Sequence, residues 1–292
     1  MVNSEQDIVW EEDRLFSCQL DSLACFRLLK GKSAMSALQG KVALITGGSS
    51  GIGLATAREF HAQGARVVLS GRDREKLEAV ANQLGPHVLG VPTDVTKLSD
   101  LDELMARTQE TFGKLDILFV NAGVADARTL AETDEAFFDR IMNTNFKGAY
   151  FTIQKALPLL NNHASIIING SINALVGMAG SSVYSASKAA VHSLARTLSA
   201  ELIGRGIRVN TITIGPTDTS ILQRADYAPE VIQAHKESIA RLSPIKRLGR
   251  PEEVAKVALF LASSDSSFVI GAEIAADGGI TANITPSPIN NQ

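Results

Sequence analysis

A chain of 292 residues, 45% hydrophobic and 20% charged, carries enough apolar material for a sizeable core in one large or two small domains. Its 28 basic and 31 acidic side chains leave a net charge of −3. No basic block stands out, which argues against nucleic-acid or anionic-membrane partners. The longest apolar runs, such as "VALIT" and "IIIN", are strand-sized and too short to cross a bilayer as helices.

Residues 1–34 differ from the rest of the chain. They hold both cysteines (Cys18 and Cys25) and the only tryptophan. An acidic start without a basic-then-apolar order resembles neither a transit peptide nor a secretory signal. Leu15, Phe16, Leu20, Leu23 and Leu28 could line one side of an amphipathic helix. The preferred reading is an extension dispensable to the domain, because "MSALQGKVALITGG" reads as a natural beginning. With no cysteine after residue 34, neither disulfides nor thiolate metal sites are expected, and no metal site is read. Such cysteine usage fits a reducing cytoplasm.

From residue 35 to 292 short apolar runs alternate with helical patterns. "VALITG" leads through a glycine-rich turn into "IGLATAREFHAQG"; "RVVLSG" comes next, then "DREKLEAVANQLG" with Asp73 as its expected cap. "VLGVPTDV" and "LDILFVNAG" flank the helix "LSDLDELMARTQETFG", and "SIIING", "IRVNTITIG" and "EIAADGG" come later between long helical stretches. Val- and Ile-rich strands alternating with helices predict an α/β fold: one doubly wound, Rossmann-like domain of about seven parallel strands with helices on both faces.

The first strand ends in "TGGSSGIG". A glycine turn feeding a helix N-terminus offers bare N–H groups and the positive end of the helix dipole to an anion. The spacing of Gly47, Gly51 and Gly53 is G-x-x-x-G-x-G, and no Lys-Ser/Thr comes after it as a Walker loop would need. At the end of the second strand, where an acid would accept bonds from the ribose hydroxyl of NAD, the chain has Gly71 and Arg72. Glycine leaves room and a guanidinium offers paired donors to a 2′-phosphate, so NADP is favoured. Asp73 keeps NAD as the alternative.

"SVYSASK" places Tyr184 and Lys188 four residues apart, on one helix face. A free phenol has a pKa near 10. A lysine cation about 4 Å away is worth on the order of 4 kcal/mol at an effective dielectric of about 20, enough to move the phenol toward neutrality before desolvation takes its share. An acid/base for an alcohol–ketone pair needs that pKa.

With "TDV", "NAG", "NTNFKG", "GS", "YSASK", "IGPTDT" and "ADGG" in order, the chain resembles the compact single-domain branch of the short-chain dehydrogenase/reductases, from about Leu38 to about Thr281. The resemblance implies that Tyr184 gives the proton to a carbonyl oxygen while nicotinamide gives hydride to the carbon. Ser171 would hold that oxygen, Lys188 would bond the nicotinamide ribose, and Asn145 would anchor a water linking Lys188 to a proton relay. It also implies that Gly47, Ser49, Ser50, Gly51, Ile52 and Gly53 hold the pyrophosphate end of the nucleotide. Arg72, Asp94 and Val95 would meet the adenosine; Asn121, Ala122 and Gly123 would support the backbone on the cofactor side, with Gly215, Thr217 and Thr219 near the carboxamide. The usual Pro-Gly after the sixth strand is here Ile214-Gly215-Pro216.

The segments expected to wall the substrate, "INALVGMAGSS" and the stretch after Gly215 with Ile221, Leu222 and Tyr227, suit a modest, apolar carbonyl or secondary alcohol. A 3-oxoacyl-carrier-protein reductase is an alternative, with Arg241, Lys246, Arg247 and Arg250 as the candidate patch for an acidic carrier. An NADP-binding sensor without activity is another. The family habit implies a homodimer or homotetramer.

Overall fold

The computed structural model describes residues 36–219 and 229–283. The N-terminal extension and the pocket candidates Ile221, Leu222 and Tyr227 lie outside the described residues. Seven strands form one parallel sheet: β1 (Val42–Thr46), β2 (Arg66–Gly71), β3 (Val88–Pro92), β4 (Leu115–Val120), β5 (Leu160–Asn169), β6 (Arg208–Ile214) and β7 (Glu273–Ala276). Their spatial order is β3-β2-β1-β4-β5-β6-β7, as the α/β doubly wound reading predicts.

Period-two side-chain geometry builds two cores from one sheet. In β1, Val42 and Leu44 join one cluster, with Leu101, Leu104, Ile153 and Val191. Ala43 and Ile45 join the opposite one, with Phe60, Leu77, Val254 and Leu261. The first face is therefore covered by α3 (Leu98–Phe112), α5 (Gly148–Ala156) and α6 (Ser182–Leu202). The second is covered by α1 (Gly51–Ala62), α2 (Arg74–Leu84) and α8 (Pro251–Ala262). Each fully buried Phe or Leu in these layers contributes about 1.5–3 kcal/mol.

Local sequence sets the helix ends. Asp73 caps α2, its Oδ1 accepting from the Lys76 N–H at 3.1 Å. Pro251 opens α8, and Glu253 reaches back to the Arg250 N–H at 2.8 Å. The far end of α8 is closed from another element: buried Arg208 of β6 donates to the carbonyls of Leu261 and Ser263 at 2.9 and 3.2 Å.

The strand order reverses between β1 and β4. Beyond β1 the chain winds outward through β2 and β3; then it returns and winds the other way from β4. In such sheets the connections leave in opposite directions and open a crevice at the strands' carboxyl ends. The helix entering from that side, α4 (Glu135–Met142), passes through a π segment at Asn143–Lys147 into α5. A wider turn there rotates Asn145 inward, toward the crevice.

Candidate active site

The crevice is a cleft of about 440 Å³. Of the residues expected to hold a nucleotide, Gly47, Ser49, Ser50, Gly51, Ile52, Arg72, Asp94, Val95, Asn121, Ala122, Gly123 and Thr219 line it. Gly53 sits just beneath. A Cβ there would stand 2.2 Å from the Gly47 carbonyl oxygen and 2.7 Å from Asn121 Nδ2, so only glycine lets α1 begin this close to β1. Gly51 has φ +54°, the left-handed turn that aims the α1 N-terminus at the cleft. Bare amides, a helix N-terminus and no side chain in the way suit a pyrophosphate.

Gly215 and Thr217 are set back from this lining. Gly215 packs against β7's exit, where a Cβ would meet Asp277 Cα at 2.5 Å. Thr217 donates to the Gly215 carbonyl at 3.0 Å. They shape the segment leading to Thr219.

At the second-strand end, a Cβ on Gly71 would have the Ser49 hydroxyl at 3.4 Å as its nearest neighbour. A Cβ there would make only ordinary contacts, with Ser49 and with the Leu77 methyl groups at 3.9 and 4.0 Å. Across the cleft mouth, burial pushes the Asp94 carboxyl up. Hydrogen bonds from Thr96 at 3.0 and 2.8 Å, with the charges of Arg72 and Lys97, outweigh it and hold the carboxyl below its usual range.

A hydrogen-bonded chain ties the glycine loop to the lysine. Thr46 Oγ1 accepts from the N–H groups of Asn121 and Ala122, both at 3.0 Å. Asn121 Nδ2 donates to the Thr46 carbonyl at 2.9 Å, and its Oδ1 accepts from Asn169 Nδ2 at 2.8 Å. Lys188 Nζ then donates to the Asn169 carbonyl at 2.8 Å. Sequence reading missed Asn169, though a polar residue ending "SIIIN" was the available signal. It also missed Arg140, Asn143 and Thr144, which line the same cleft.

Tyr184, Lys188 and Ser171 are brought together. Lys188 Nζ lies 5.9 Å from the Tyr184 ring centre, and the Ser171 side chain acts on the phenol, favouring its ionised form. Gly123 joins this group to the cleft, since a Cβ on it would lie 3.8 Å from Lys188 Nζ. One expectation is corrected. Burial raises the Tyr184 pKa, and the Ser171 side chain opposes it without reversing it. Lys188, buried in the same wall, is itself pulled down to about 8 by desolvation. The cost of removing both groups from water exceeds what their attraction returns. At neutral pH the pair is a neutral phenol beside a mostly protonated ammonium.

Asn145 is buried close by. Its Oδ1 accepts from the Val124 N–H at 2.8 Å, while its Nδ2 donates to the Val124 carbonyl at 2.9 Å and to Ser187 Oγ at 3.1 Å. The buried side chain pins the loop after β4 to α6. In the candidate basic patch one carboxylate, Glu253, faces two of the four cations. Arg247 makes a two-pronged pair with Glu253 at 2.8 and 2.7 Å, and Arg250 approaches the same carboxylate at 3.6 Å.

After Ser171 in the chain, Leu175 and Met178 stand exposed. No helix among the described residues is long and apolar enough to cross a membrane.

The chain is similar to known proteins. The family model described as Enoyl-(Acyl carrier protein) reductase matches residues 47–281. The oxidoreductase asL5 of Sarocladium schorii is 43% identical, over 85% of this chain and 98% of its own. The 3-oxoacyl-acyl-carrier-protein reductase FabG of Thermotoga maritima is 35% identical, over 83% and 98%. A crystal structure of a short-chain dehydrogenase/reductase (glucose/ribitol dehydrogenase) from Brucella melitensis superposes with a TM-score of 0.79 at 33% identity, covering 85% of this chain and 99% of that one.

Proposed function

The chain belongs to the short-chain dehydrogenase/reductase family of NAD(P)-dependent oxidoreductases, and from that premise we propose that it interconverts a modest, apolar carbonyl compound and its secondary alcohol with NADP(H) preferred. The observation that carries this is the placing of Lys188, beside Tyr184, against Asn169 and Gly123, two residues that line the same cleft as the glycine turn.

The nicotinamide nucleotide, when bound, supplies the hydride. Gly47 to Gly53 would hold its pyrophosphate. Gly71 and Arg72 both line the cleft, which supports a 2′-phosphate there, since nothing acidic ends β2 to accept from a ribose hydroxyl. The Ser171 hydroxyl would hold the substrate oxygen and the Tyr184 phenol would deliver the proton to it. A raised phenol pKa keeps that proton on Tyr184 until the alkoxide forms, which suits reduction. Lys188, protonated at neutral pH, then stabilises the phenolate left behind. The exposed Leu175 and Met178 favour an apolar substrate.

The test is a panel of ketones, aldehydes and β-keto esters, free and carrier-linked, run with NADPH and NADH in parallel and with Tyr184→Phe as the blank. Wild-type turnover on free apolar carbonyls, faster with NADPH and absent in the blank, is expected. Turnover surviving in Tyr184→Phe would overturn the mechanism. A preference for carrier-linked substrates would favour the carrier-protein reductase reading, for which FabG is the relative at hand. Tight NADPH binding with no turnover on any substrate would favour a sensor.

A further inference from the structure

Beneath the site lies a buried histidine that the proposed reaction does not use. His192 sits two turns along α6 from Tyr184 and is 3% exposed. Its Nε2 faces the Ser171 backbone N–H at 3.3 Å. Its Nδ1 faces Glu273 Oε2 of β7 at 3.0 Å, and the other oxygen of Glu273 is bonded by Arg196. The two contacts define the tautomer. A backbone N–H can only donate, so Nε2 must be the bare acceptor; Nδ1 then carries the proton and donates it to Glu273.

The chain has made room for this contact. A Cβ on Gly170, the residue before Ser171, would stand 2.2 Å from His192 Nε2 and 2.6 Å from Thr211 Cγ2. The strand-to-loop corner that delivers Ser171 thus wraps the imidazole edge, and only glycine permits it.

We propose that His192 is a positioning residue: oriented by Glu273 and Arg196, its neutral Nε2 tethers the Ser171 backbone so that the Ser171 hydroxyl meets the Tyr184 phenol and the substrate oxygen, and protonation of the ring releases that tether. The inference rests on the role proposed for Ser171. When Nε2 takes up a proton it becomes a donor facing a donor. The hydrogen bond becomes a repulsion, and the Gly170–Ser171 corner must shift. Among the described residues, the charges acting on His192 are Glu273 from β7 and Lys188 and Arg196 from its own helix. Burial lowers its pKa most, helped by the two cations and opposed by Glu273. The ring is therefore the neutral acceptor at pH 7, and the tether fails only on the acid side, below the usual histidine range.

Two full-length variants test this. His192→Gln keeps an acceptor near the Nε2 position but cannot titrate; His192→Leu removes the acceptor. The readouts are the pH profile of kcat/KM for carbonyl reduction and the hydrogen exchange of the Ser171 amide by NMR. Wild type should lose kcat/KM and Ser171 protection together as pH falls, whereas His192→Gln should keep both. His192→Leu should lose protection at every pH and lower kcat by about 10- to 100-fold, the cost of a reacting group held roughly 1 Å off, with the KM for NADPH nearly unchanged.

An acid limb that persists in His192→Gln overturns the proposal, as does wild-type kcat in His192→Leu. Equal drops in melting temperature for both variants with kcat unchanged would assign His192 to the core and also overturn it. A wild-type protein that reduces no carbonyl would sink the proposed reaction but not the tether, which amide exchange decides by itself.

Discussion

Lys188 carries its charge inside the protein, and that has a measurable thermodynamic consequence. It is 6% exposed, its ammonium bonded to the Asn169 carbonyl, and burial lowers its pKa from the ordinary 10.5 to about 8. At about 1.4 kcal/mol per pH unit, the folded state bears a cost of about 3 kcal/mol at neutral pH for keeping that proton. Between about pH 8 and 10.5 the unfolded chain binds a proton that the folded one has released. Stability therefore rises with pH across that window, and the cost remains in full below pH 7. Other titrating groups are common to wild type and Lys188→Met, so the difference between the two isolates this one. Urea unfolding followed by circular dichroism, at one protein concentration and at pH 7 and pH 10, should show wild type gaining about 2–3 kcal/mol relative to Lys188→Met between the two. Two curves that stay parallel across that range would refute the idea that Lys188 is buried and charged at neutral pH. A lysine retained against such a cost belongs to a site, because an apolar residue would serve a core better.

Asn145→Ala strips both Val124 backbone groups of their partners, and urea unfolding should show about 2–5 kcal/mol lost; a loss below about 1 kcal/mol would show that the loop needs no such pin. Gly53→Ala sets a Cβ against the Gly47 carbonyl and should cost at least about 1–3 kcal/mol, seen as a lowered melting temperature. Gly71→Ala, whose nearest neighbour is 3.4 Å away, serves as the near-neutral control, and equal melting shifts would refute the steric reading. Arg72→Ala should weaken NADPH binding about 10- to 100-fold in a fluorescence titration, as loss of charge-assisted bonds does, and leave NADH nearly unaffected. Equal effects on both nucleotides would remove the case for NADP.

The sequence by itself determined the strands, their two side-chain faces and the glycine turn, because each arises from neighbours a few residues apart. Alternation in "VALIT" assigns Val42 and Leu44 to one face and Ala43 and Ile45 to the other before any partner is known. Asp73 caps its helix from three residues away. Tyr184 and Lys188 meet because four residues make about one helical turn. Only the tertiary structure decided how those groups are charged and held. The Asn121–Asn169–Lys188 chain joins three elements, and the His192–Glu273 pair spans 81 positions, which no local pattern encodes. The inward turn of Asn145 needs a π segment that its sequence does not announce. The direction of the Tyr184 shift depends on desolvation, a sum over every atom packed around the phenol, and packing exists only once the chain has folded.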